Sequence, residues 1–183
     1  MCGIAALNIN GPKHGKGQMV GLLYKMLLQE QNRGQLSAGI STYDSCRVQL
    51  IDTFKGLGSV NEVFKLSHQA EREGLVKKYS GSKGIGHVRY ATCGIETDDY
   101  AQPFERQHGR KWKWFSFGFN GQITNFFELK KELAKDNYHL IRDTDTELIM
   151  HFIAKQFIGT KRMDLLEWKL SNSRGRKAFA QSS

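Results

Sequence analysis

Cysteine is scarce in this chain. Only Cys2, Cys46 and Cys93 occur among 183 residues. An odd, sparse set excludes a disulfide framework and fits a reducing, cytoplasmic setting. No CxxC pair is present, and His87 with Cys93 supplies two candidate ligands where a zinc site needs four or three plus water. Long apolar runs are also missing. Nothing approaches the roughly 18 consecutive apolar residues of a membrane span. The start, MCGIAALNIN, lacks the basic segment and long apolar stretch of a secretory signal. No internal repeat and no Pro/Ser linker divides the chain, so a single domain is expected.

What is present is ordinary for a folded protein: 39% hydrophobic and 25% charged residues, too apolar for wholesale disorder. The net charge of +9 raises the question of nucleic acid. Much of that excess sits late in the chain, in Lys155, Lys161, Arg162, Lys169, Arg174, Arg176 and Lys177, opposed only by Asp164 and Glu167. A solvated basic tail accounts for it, and no nucleic-acid motif accompanies it. Residues 158–183 are therefore expected to form a divergent basic C-terminal tail after a domain spanning residues 2–157.

Periodicity sketches the elements. Residues 2–10 read as a short apolar strand running from the N-terminus. Met19, Leu22, Leu23, Met26 and Leu27 line one face of a helix over 18–32. Strands are expected near 38–43 and over 47–54, then a helix over 61–72. GIGHVRYAT (84–92) reads as a buried strand, and 93–113 as a long irregular stretch. WFSFGF (114–119) is a strand ending at the turn signal Asn120-Gly121. Helices follow over 125–136 and from Thr144, where Thr144 and Glu147 have capping-box spacing. Strands mixed with helices and antiparallel turns imply a layered domain with sheets at its centre.

Several residues could carry chemistry, and each has a plainer alternative. Cys2 becomes N-terminal if Met1 is removed, which the small second residue favours. Its thiol and its α-amine then share one residue. An α-amine titrates at about 7.7–8.0 and a thiol at about 8.5. Such a pair can pass a proton near neutral pH, so one residue supplies nucleophile and base. The alternative is a small core cysteine. Arg89 sits on a strand among apolar neighbours, where a guanidinium needs an anion. Its planar fork suits a carboxylate, of a ligand or of an internal salt bridge. Asn120-Gly121 is either a donor pair or simply a hairpin turn. Asp143 and Asp145 stand where carboxylates commonly cap a helix.

The order of the segments is more telling than any one of them: CGI at the N-terminus, then NRGQLSAGI, KGLGSVNEVF, GIGHVRYATCG, AQPF, FNGQITN and DTDTE. From Cys2 to about Phe157 this resembles the class II glutamine amidotransferases, which are N-terminal-nucleophile hydrolases. Within that class it is most similar to the glutaminase domain of the amidophosphoribosyltransferases of purine synthesis.

The resemblance implies an α+β, four-layer αββα sandwich that needs neither a metal nor an organic cofactor. It also implies roles. Cys2 attacks the side-chain amide of glutamine, releases ammonia, and forms a γ-glutamyl thioester that water cleaves. Asn120 and the Gly121 backbone N–H form the oxyanion hole. Arg89 holds the substrate α-carboxylate with Thr92 nearby, and Asp145 its α-ammonium. Arg33 supports the nucleophile from behind. His87 is structural. The ammonia passes to a partner synthase subunit or domain.

Two departures stand out. Phe119 occupies the place where relatives often carry histidine before Asn-Gly, so no polar contact from that side chain is expected. After Phe157 the resemblance ends, and neither the further strands of the sandwich nor an acidic phosphoribosyl-binding loop follows. The sandwich is accordingly expected to be incomplete at its C-terminus, and the chain not to make phosphoribosylamine alone. A missing strand would leave an open edge that invites a partner or self-association. Competing readings are the glutaminase part of another class II assembly, such as glutamate synthase, glucosamine-phosphate synthase or an asparagine-synthetase-like protein. A non-catalytic remnant that binds glutamine or a partner is the second, and a basic nucleic-acid-binding module is the third.

Overall fold

The computed structural model describes residues 2–9, 16–90 and 100–158. Its elements are β1 (Gly3–Asn8), α1 (Met19–Glu30), β2 (Ser37–Tyr43), β3 (Ile51–Leu57), α2 (Val60–Phe64), α3 (Gln69–Lys78), β4 (Lys83–Arg89), β5 (Phe104–Arg106), β6 (Phe115–Phe117), α4 (Phe126–Lys135) and α5 (Asp145–Gln156). Four strands form one antiparallel sheet in the order β1-β4-β2-β3. β5 and β6 form a second.

The apolar stripe read in the sequence places α1. Met19, Leu23 and Leu27 of that stripe are fully buried, but Leu22 and Met26 are exposed at its edge and Val20 is buried instead; α1 lies against β1 and β4. The four buried residues join Ala5, Ala38, Ile40, Val60, Phe64, Tyr79 and Val88 in one core. Phe54 sets its ring edge against Phe64 at 5.5 Å between centroids, within the favoured range for aromatic pairs. On the other face of the molecule, β5 touches β3, α5 lies on β5, and α4 lies on α5. The succession is helix, sheet, sheet, helices, so the fold is α+β and layered as αββα. The described part of the second sheet has two strands.

Four local expectations change. β3 begins at Ile51 rather than 47, because the Asp44 carboxylate accepts from Cys46 N–H at 3.0 Å and folds residues 44–47 into a turn. The single helix over 61–72 is two helices. Lys65 adopts the left-handed conformation (φ 47°) and closes α2, and α3 restarts after an extended His68. β5 lies inside the stretch expected to be irregular. Thr144 does cap α5 by accepting from Glu147 N–H at 3.2 Å, but the Glu147 carboxylate reaches past the cap to Ile141 and Arg142 N–H. The complete capping box is at Ser59 and Glu62, at the start of α2.

Leu23 is fully buried where α1 meets the four-stranded sheet. Leu23→Ala is expected to lower the unfolding free energy by about 2–5 kcal/mol. Urea denaturation measures this, and a loss under 1 kcal/mol is too small for such a core position.

Candidate active site

β1 enters the sheet antiparallel to β4, with Gly3 opposite Val88. Cys2 and Arg89 therefore arrive at the same end of two neighbouring strands. Cys2 is a half-buried free thiol. The Asn120 side-chain nitrogen donates to the Cys2 carbonyl oxygen at 2.8 Å, closing a gap of 118 residues. The segment after β6, which bends at Gly121 and leads to α4 instead of forming the hairpin turn read from Asn120-Gly121, is thus folded back onto the start of β1.

That segment is anchored along its backbone. Phe119 N–H donates to Gln102 Oε1 at 2.8 Å. Phe119 carbonyl lies 3.3 Å from His87 Nε2. A carbonyl only accepts, so Nε2 carries the proton. His87 is wholly buried, and burial above all, with the nearby Arg89 charge adding to it, pushes its pKa down to about 4 despite the Phe119 carbonyl. It is neutral at pH 7. The missing histidine at 119 therefore costs the turn nothing visible: main-chain atoms hold residue 119. Its ring serves differently, since a Cβ built on Gly121 would lie 2.7 Å from the Phe119 ring. Gly121 leaves room for that ring.

Asp145 opens α5, and its Oδ2 accepts from Ile123 N–H at 2.9 Å, two residues beyond Gly121. Its neighbour Asp143 takes another part, pairing with Lys130 at 2.6 Å on the surface. Of the two acids that could have been mere caps, only Asp145 touches the turn. The Arg89 guanidinium lies over the Tyr100 ring at 5.6 Å. Gly34 fixes where Arg89 sits: a Cβ there would come within 2.4 Å of the Arg89 backbone, and Leu36 N–H donates to Arg89 carbonyl at 3.1 Å. Arg33 is more remote. It is half exposed and paired with Glu30 at 3.0 Å. Glu30 in turn crowds Gly3, next to Cys2. Thr92 and Cys93 lie outside the described residues.

One contributor went unread in the sequence. Gln102 appears within AQPF but gave no sign of a role, because its partners are 17 and 44 residues away. A cavity of about 390 Å³ lies between the sheets, beside Leu7, Thr42, Gly84 and Ser116; none of the expected site residues lines it. Among the described residues, no group of three or more His, Cys, Asp or Glu could hold a metal ion, and no helix is long and apolar enough to cross a membrane.

A family model described as a glutamine amidotransferase domain matches residues 65–167, more than half the chain. The chain belongs to the glutamine amidotransferase family. The match includes Arg89, Asn120, Gly121 and Asp145 but starts after Cys2. Similar curated proteins include the amidophosphoribosyltransferase of Methanothermobacter thermautotrophicus, 34% identical over 85% of this chain and 30% of that protein. The glutamine–fructose-6-phosphate aminotransferase of Aquifex aeolicus is 38% identical over 75% of this chain and 22% of that protein. Among solved structures, the B. subtilis glutamine phosphoribosylpyrophosphate amidotransferase complexed with ADP and GMP superposes with a TM-score of 0.60 at 26% identity, over 82% of this chain and 28% of that one. The allosteric regulatory enzyme of purine biosynthesis does so at 0.64 and 27%, over 82% and 29%. The chain spans less than a third of the length of these relatives. The amidotransferase domain is related to both the amidophosphoribosyltransferase and the fructose-6-phosphate aminotransferase lines.

His87 yields a pH prediction. Its folded pKa of about 4 lies below the usual 6.5. Neutral His87 therefore contributes stability that is complete above pH 6.5 and lost as pH falls toward 4, on the order of 3 kcal/mol in all. His87→Gln is expected to be less stable at pH 7 and to lose less of its remaining stability between pH 7 and 4. Denaturation at a series of pH values measures both; parallel curves for the two proteins contradict the assignment.

Proposed function

We propose that this chain hydrolyses glutamine to glutamate and ammonia by covalent catalysis at Cys2. The observation that carries the reading is the Asn120–Cys2 hydrogen bond, which joins the first described residue to an Asn-Gly turn. In this scheme Met1 is removed. The Cys2 Sγ–H proton passes to the α-amine as sulfur attacks the glutamine Cδ carbonyl. The oxyanion forms against the Asn120 side chain and the Gly121 N–H. A side-chain amide has two hydrogens, so Asn120 can hold Cys2 with one and meet the oxyanion with the other. The C–N bond then breaks, the α-amine proton goes to the leaving nitrogen, and ammonia departs. Water attacks the resulting γ-glutamyl thioester, returning a proton to sulfur and releasing glutamate.

Arg89 is the partner for the substrate α-carboxylate, Thr92 is assigned to the same group, and Asp145 is the partner for the α-ammonium. Arg33 acts on Cys2 through Glu30, which abuts Gly3. The glutaminase domain takes in residues 2–157 in this reading, and the family match runs on to residue 167. Ammonia is consumed by a synthase domain or subunit of the amidophosphoribosyltransferase type. A fructose-6-phosphate aminotransferase type of acceptor is the second reading, favoured by the 38% identity to the Aquifex protein.

Glutamine-dependent ammonia release by the full chain tests the scheme. Cys2→Ala is expected to abolish it. Asn120→Ala is expected to lower kcat about 10²–10³-fold with little change in KM, because an oxyanion donor acts chiefly in the transition state. Persistent turnover in Cys2→Ala, or an unaltered kcat in Asn120→Ala, contradicts it.

A further inference from the structure

Gln102 is 7% exposed, and both ends of its amide are engaged. Oε1 accepts from Phe119 N–H at 2.8 Å, and Nε2 donates to Thr146 Oγ1 at 3.2 Å. Phe119 immediately precedes Asn120, and Thr146 immediately follows Asp145. The backbone around Gln102 is itself fastened to the four-stranded sheet. Its carbonyl presses on β2 so closely that a Cβ on Gly39 would lie 2.4 Å away. The preceding carbonyl, of Ala101, accepts from Lys55 Nζ at 2.6 Å. One residue thus stands on the first sheet and grips two separate parts of the site.

We propose that Gln102 is a positioning residue, a bracket whose side-chain amide sets the Asn120-Gly121 turn against the Asp145 end of α5. The inference rests on the glutaminase reading above and extends it. Gln102 touches neither substrate nor nucleophile. It acts through Phe119 N–H, whose displacement moves the two oxyanion donors together. Asp145 keeps its own bond to Ile123 N–H and its place on a capped helix. Loss of the bracket therefore falls on transition-state stabilisation more than on ground-state binding. Misplacement of a catalytic group by about 1 Å can cost about 100-fold in rate.

Gln102→Met keeps length and volume while removing both hydrogen bonds. Thr146→Val, nearly isosteric, removes the far anchor alone. In the full chain, Gln102→Met is expected to lower glutaminase kcat about 10- to 100-fold with KM changed less than about threefold. Thr146→Val is expected to lower kcat less. The double variant should be no slower than Gln102→Met, since the two residues share one interaction. A space-filling role predicts instead that Gln102→Met leaves kcat unchanged, and that result overturns the bracket. So do an unchanged kcat in Thr146→Val and losses that multiply in the double variant. If Gln102→Met does not fold, the Thr146→Val result decides. A wild-type chain with no ammonia release sinks the glutaminase reading itself, and this inference with it. Wild-type turnover with unaltered variants sinks the bracket alone.

Discussion

The Asn120 amide must reach the Cys2 carbonyl across 118 residues of chain, and that contact sets terms for much of the molecule. β1 has to deliver residue 2 to one end of the four-stranded sheet, where β4 ends at Arg89. The turn after β6 has to come back over that same end. The first demand is met by ordinary burial, since α1 lays Met19, Val20, Leu23 and Leu27 into a shared core with Ala5 and Val88. The second is not a matter of apolar packing. It relies on polar groups reaching between layers: His87 from the sheet and Gln102 from the segment entering β5.

Phe119 shows how that arrangement tolerates change. Its side chain cannot take the place of a histidine in hydrogen bonding. Its amide and carbonyl are nevertheless both engaged, and any residue other than proline offers the same two groups. The ring is free to pack over Gly121. His87 serves the carbonyl through its Nε2–H, and burial keeps the ring neutral at pH 7. A structural histidine and a site of polar chemistry are thus coupled through one main-chain oxygen.

Elements with strong periodicity were legible from the residues alone. α1, α4 and α5 appear close to the spans expected for them, and Thr144 caps α5. Elements governed by single local contacts were not. The Asp44 turn delays β3, and the left-handed Lys65 divides the expected helix. Neither leaves a mark on hydrophobic pattern. The candidate site divides in the same way. Cys2, Asn120, Gly121, Arg89 and Asp145 stood out through the order of their motifs. The geometry then joined Asn120 to Cys2 and Asp145 to the turn. Gln102 was invisible in the sequence, because a buried amide acquires its meaning from partners that only the fold supplies.

The central claim is that Cys2 is the nucleophile of a formed glutamine site, and covalent capture tests it most directly. The purified full chain is weighed before and after exposure to a glutamine analogue bearing a thiol-reactive electrophile, with and without excess glutamine. Loss of Met1 and one adduct, mapped to Cys2 and suppressed by glutamine, is the predicted result. An adduct on Cys46 or Cys93 alone, or labelling of Cys2 that glutamine leaves unchanged, contradicts the account.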